Sequence, residues 1–125
     1  MTTSRVLGVV VLLACTLSTT EGFAQASKSD GTLGQRAYKA VCMGCHSVEP
    51  GVMKTGPSLF GLSGRKAGST SGSEALRQSG FVWDRDSLNR YLHDPVKAVP
   101  GTTMVVRMED AEVREALVDY LLTLK

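Results

Sequence analysis

Apolar and polar positions change their rhythm several times along the chain. A continuous apolar run, Val6 to Leu17, follows a lone Arg5. It is shorter than the ~20 residues a membrane-spanning helix needs, and a polar stretch follows it. From Leu33 the apolar positions Leu33, Ala37, Tyr38, Val41 and Cys45 fall at helical spacing, which predicts a helix over Leu33 to Cys45. Lys54 to Lys66 is too rich in glycine for regular structure, yet Leu59, Phe60 and Leu62 need burial, so it reads as a loop pressed against an apolar object. Ala67 to Gly80 is small and polar and has room for at most a short helix over Ser73 to Gln78. Asp84 or Asp86 can cap a helix that carries the stripe Leu88, Tyr91 and Leu92 and is stopped after His93 by Pro95. Val99 to Met104 reads as a turn around Pro100-Gly101. A last helix bears Val113, Ala116, Leu117, Tyr120, Leu121 and Leu124, with Glu109, Asp110 and Glu112 favourably placed at its start. No repeat or strand pattern is visible, so the expected class is all-α, three to five helices with long loops.

The first apolar run belongs to a leader, not to the fold. Ala24-Gln25-Ala26 has the small-x-small form of a signal-peptidase site, so residues 1-26 are expected to be a signal peptide and 27-32 a flexible polar leader. The folded domain is then 33-125, and cleavage after Ala26 leaves 99 of the 125 residues. Leu12-Leu13-Ala14-Cys15 offers an alternative end, a lipidated Cys15 that would tether the domain to a membrane. So short a domain has little apolar area to bury on its own. Charge is near balance, with 14 basic and 12 acidic residues, and removing Arg5 and Glu21 leaves the net at +2. That balance argues against nucleic-acid binding, which needs a pronounced basic patch.

The chemistry concentrates in Cys42-Met43-Gly44-Cys45-His46. Two cysteines at i and i+3 come to one side of a helical turn, and a histidine directly after them completes the c-type haem attachment pattern. A redox dithiol would need a βαβ context, which is not apparent. A closed zinc site would need four ligands, and outside this motif and the leader only His93 remains. A haem would also supply the apolar core that so short a chain lacks. For a second iron ligand, the thioether of Met104 is soft and sits on a stiff proline-glycine turn; Met108 is its competitor, and His93 reads as an exposed helix end.

Lys54-Thr55-Gly56-Pro57-Ser58-Leu59, Gly64-Arg65-Lys66, Trp83, Tyr91-Leu92-His93-Asp94-Pro95 and Pro100-Gly101-Thr102-Thr103-Met104 follow the attachment motif in order. With it they resemble class I cytochrome c, the mitochondrial and related bacterial monohaem type, over nearly all of the chain after the leader. The resemblance implies a small cytochrome c fold around one haem c, covalent through Cys42 and Cys45, with His46 and Met104 as the iron ligands. It implies that the Pro57 carbonyl accepts a hydrogen bond from His46, that Tyr91 lies near the Met104 sulfur, and that Arg65, Trp83 and Thr102 face the propionates. Gly34 and Tyr38 would cross Tyr120 where the first and last helices meet.

The function so implied is one-electron transfer between redox proteins of the membrane or periplasm, by a monomer without a small-molecule substrate. A dedicated haem subunit of a larger enzyme is the second form of that role, and a peroxidase-like or gas-binding haem with an open sixth position is the enzymatic rival. Two departures from the family are visible. Between Gly68 and Gly80 the chain is short and lacks the aromatic pair that serves a propionate, which predicts a more solvated edge and a lowered potential. Val41, Val96 and Thr103 stand where lysines are common, leaving Arg36, Lys54 and Lys97, which predicts a shallow salt dependence of docking.

Overall fold

The computed structural model describes residues 31–125. The signal peptide, its cleavage after Ala26, Cys15 and most of the polar leader therefore lie outside the described residues.

Among the described residues five α-helices follow one another: α1 (Leu33–Ala37), α2 (Glu74–Gln78), α3 (Arg85–His93), α4 (Pro95–Ala98) and α5 (Ala111–Leu122). Among the described residues there is no strand, only an isolated antiparallel bridge between Lys66 and Val82. Thr32 starts α1 through a reciprocal capping box, its side chain accepting from the Gln35 amide while the Gln35 side chain accepts from the Thr32 amide.

The first helix is not regular as far as Cys45. After Ala37 the chain widens into a π-helical turn, Tyr38–Cys42, closed by the Met43 amide on the Tyr38 carbonyl at 3.0 Å. Both the Cys45 and His46 amides then bond to the Cys42 carbonyl, at 3.1 and 2.8 Å. Such a widened turn inserts one residue into the helical ladder, and the tight turn that follows brings the chain off the helix axis at the attachment motif.

Asp84 caps α3, accepting from the Ser87 amide at 2.8 Å while the Ser87 hydroxyl accepts from the Asp84 amide. Pro95 ends α3 but does not end helical structure. It occupies the first position of α4, where a missing N–H costs nothing, and the Asp94 side chain caps that helix by accepting from the Lys97 amide at 3.1 Å. Asp110 caps α5 in the same way through the Val113 amide.

The core forms where α5 meets α1 and α3, with Leu117 and Val118 fully enclosed. Gly34 makes the α1–α5 approach feasible: a Cβ there would overlap the Ala116 carbonyl oxygen and crowd the Tyr120 Cβ. Tyr38 packs beside it, its ring centroid 5.8 Å from that of Tyr120. Trp83 is buried between Phe81 and Tyr91, each meeting it edge-on.

Candidate functional site

A cavity of about 550 Å³ opens beside this core. Its wall is mainly apolar, with Leu59, Leu62, Trp83, Leu88, Leu92 and Leu121 among its members. Cys42, Cys45, His46 and Met104 line the same space, so two segments distant in sequence deliver their sulfur and nitrogen donors to one place.

His46 is held from several sides. Its Nδ1 lies 2.7 Å from the Pro57 carbonyl oxygen, and because a carbonyl only accepts, that nitrogen carries a hydrogen, which in the neutral ring leaves Nε2 with its lone pair. Gly56 packs flat against the ring, where a Cβ would collide with Cε1, and its amide donates to the Cys45 carbonyl at 2.8 Å. The Tyr38 hydroxyl donates to the His46 carbonyl at 2.9 Å. The ring position is thus set jointly by the π turn before the motif and the Lys54–Pro57 loop after it.

The remaining expected site residues fall into two groups. Arg65, Trp83 and Tyr91 line the cavity. The Arg65 guanidinium donates to the Phe60 and Ser58 carbonyls at 2.9 and 3.0 Å, and burial holds its pKa below the usual arginine value. Thr102 does not line the cavity; it is buried behind Tyr91, whose hydroxyl lies 2.6 Å from Thr102 Oγ1. Burial raises the Tyr91 pKa, with the Thr102 contact acting in the opposite sense. Met108 packs into the hydrophobic core, away from the cavity lining, and His93 is exposed at the end of α3.

Sequence reasoning assigned no role to Gly56, to the Tyr38 hydroxyl or to Val105 and Val106, which also line the cavity. The Gly56 signal was its place directly before Pro57. The others depend on contacts between distant segments and leave no local trace.

The donor set decides what the cavity can hold. Among the described residues no group of three or more His, Cys, Asp and Glu side chains is arranged to hold a metal ion, which gives a closed zinc site no support there. Burial pushes the Cys42 thiol up to about 11, keeping it protonated and a poor redox nucleophile. An apolar space in the size range of cofactor pockets, with two thiols, an imidazole whose Nε2 is available and a thioether on its wall, fits a covalently held haem.

The sequence profile of the family described as Cytochrome c matches residues 32–125. The chain belongs to the cytochrome c family. Cytochrome c2 iso-2 of Magnetospirillum molischianum is 44% identical over 89 residues, covering 68% of this chain and 92% of that protein. Cytochrome c 2.1 of Caenorhabditis briggsae is 40% identical over 92 residues, covering 70% and 82%. Among solved structures, cytochrome cH from Methylobacterium extorquens superposes with a TM-score of 0.67 at 38% identity, covering 73% of this chain and 95% of that one. As a cytochrome c, the protein carries one haem c bound through Cys42 and Cys45 and transfers electrons between redox partners. Among the described residues no helix is long and apolar enough to cross a membrane.

Proposed function

We propose that His46 and Met104 are the two axial ligands of the haem iron, and that the chain works as a carrier, not an enzyme, outside the cytoplasmic membrane. One observation carries the ligand reading: of Met43, Met53, Met104 and Met108, Met104 alone lines the cavity that also holds His46. When bound, the haem supplies an iron that gains and loses one electron. The protein's part is to hold both ligands through that change. The Pro57 carbonyl fixes the orientation of the His46 ring, Gly56 packs against its face, and the apolar wall keeps water from the ligands. With His46 and Met104 both on the iron, no site would remain there for a peroxide or a gas. Export is supported by the leader pattern ending at Ala26, and the intact mass of the mature protein tests it, since retention of Cys15 with lipid gives a different mass from a chain beginning at Ser27.

The ligand assignment is tested by absorption spectroscopy and potentiometry on the ferric and ferrous holoprotein. Met104→Ala is expected to abolish the methionine–iron charge-transfer band and lower the reduction potential, because a methionine ligand raises it. Met108→Leu is expected to keep the band. The reverse pattern would assign the ligand to Met108.

A further inference from the structure

The span Thr103 to Arg107 carries Met104 and is fastened mainly at its ends. Before it, Thr102 Oγ1 meets the Tyr91 hydroxyl and the Thr102 amide donates to the Val99 carbonyl at 3.0 Å. After it, the Met108 amide donates to the Leu92 carbonyl at 2.8 Å, and Arg114 Nη1 donates to the Met108 carbonyl at 2.7 Å. Among the described residues, the span itself makes one hydrogen bond or ion pair, from Arg107 Nη2 to Asp94 Oδ2 at 3.1 Å. Asp94 sits at the joint between α3 and α4, and its other oxygen caps α4. Its side chain is only 19% exposed, so water screens this pair less than a fully exposed one.

We propose that the Arg107–Asp94 pair is a latch that keeps Met104 in its ligating position, making both of them positioning residues. The inference rests on the reading of Met104 as a ligand. Between its fastened ends Thr103 to Arg107 has no backbone hydrogen bond, so among hydrogen bonds and ion pairs an outward displacement of Met104 is opposed within the span only through Arg107. Arg107 follows Met104 in the same unbonded stretch, and an outward excursion of that stretch draws its side chain from Asp94, which stays at the α3–α4 joint. The pair therefore contributes to the ligated state and not to the displaced one. Cations elsewhere do not share this duty: Arg85 pairs with Glu115 and Asp119 across α3 and α5, away from the span.

The test is imidazole titration of the ferric holoprotein, followed through the methionine–iron band. Arg107→Gln is expected to tighten apparent imidazole binding about threefold, the size appropriate to one partly screened ion pair. Asp94→Asn, which keeps a capping oxygen, is expected to do the same, the double variant to add nothing further, and Arg107→Lys to restore most of the wild-type value. Molar salt is expected to tighten imidazole binding to the wild type but not to Arg107→Gln. An unchanged titration in Arg107→Gln overturns the latch. So does an equal effect from Arg85→Gln, which would trace the change to general loss of stability. If the wild type lacks the methionine–iron band, the ligand reading falls and the latch with it; a band present beside an unchanged titration removes the latch alone.

Discussion

His46 owes its orientation to one backbone carbonyl, one glycine and one tyrosine hydroxyl. Each acts by a different means: an accepted hydrogen bond, a missing side chain and a pinned backbone. Tyr91 is the other side chain whose environment makes a measurable claim. Burial raises its pKa, so the folded state holds the phenolic proton more tightly than the unfolded chain does. That stabilisation is fully present below the ordinary tyrosine value of 10.0 and is lost as pH rises through the raised value. Denaturant melts above pH 10 are therefore expected to show a steeper loss in the wild type than in Tyr91→Phe, with Tyr38, whose pKa burial also raises, titrating in both. At neutral pH the same variant gives up about 1 kcal/mol for the hydrogen bond with Thr102. The attachment residues were legible in the sequence because covalent chemistry demands two thiols and an imidazole at fixed spacing. Thr102 was harder: the sequence marks a turn residue, but only the folded chain shows that its hydroxyl faces Tyr91.

At the scale of elements, local signals located α2 and the end of α3 at His93, and missed the π turn after α1 and the new helix begun at Pro95. Asp84, Asp110 and Pro95 lie at the boundaries where capping and proline chemistry put them. The π turn at Tyr38–Cys42 interrupts a stretch whose apolar spacing reads as continuous helix, because side-chain periodicity does not reveal a change in backbone bonding. Likewise Pro95 reads as a stop, although with Asp94 before it the chain starts a new helix. The crossing of α1 and α5 is the element-scale contact that one substitution can test. Gly34→Ala drives a methyl group into the Ala116 carbonyl and is expected to cost about 1–3 kcal/mol in urea unfolding, typical of overpacking. Gly44→Ala meets nothing within 4 Å and is expected to leave the unfolding midpoint near that of the wild type.

For the whole molecule the surface matters more than the core. Val41 and Val96, two of the positions where the family resemblance leads one to expect lysine, are exposed at 42% and 43%, and Val105 on the cavity wall adds a further exposed apolar group. With Arg36, Lys54 and Lys97 as the remaining cations considered for docking, electron transfer to an acidic partner is expected to slow only shallowly as ionic strength rises. A steep decline in stopped-flow rates would contradict this. Ser71, Gly72 and Ser73 form one part of the cavity wall with small side chains, consistent with a more solvated cofactor edge and a reduction potential below that of relatives with aromatic residues there.

The α1–α5 crossing also bears on the order in which the molecule is assembled. α1 has five residues, far below the ~12–15 at which an isolated helix begins to hold in water. Its packing partner, around Ala116 and Tyr120, is made long after Cys42 and Cys45. Until α5 is present, α1 and the turn that leads to Cys42 have no partner at this crossing. The crossing thus ties the attachment segment to the far end of the domain, so shortening α5 is expected to loosen α1.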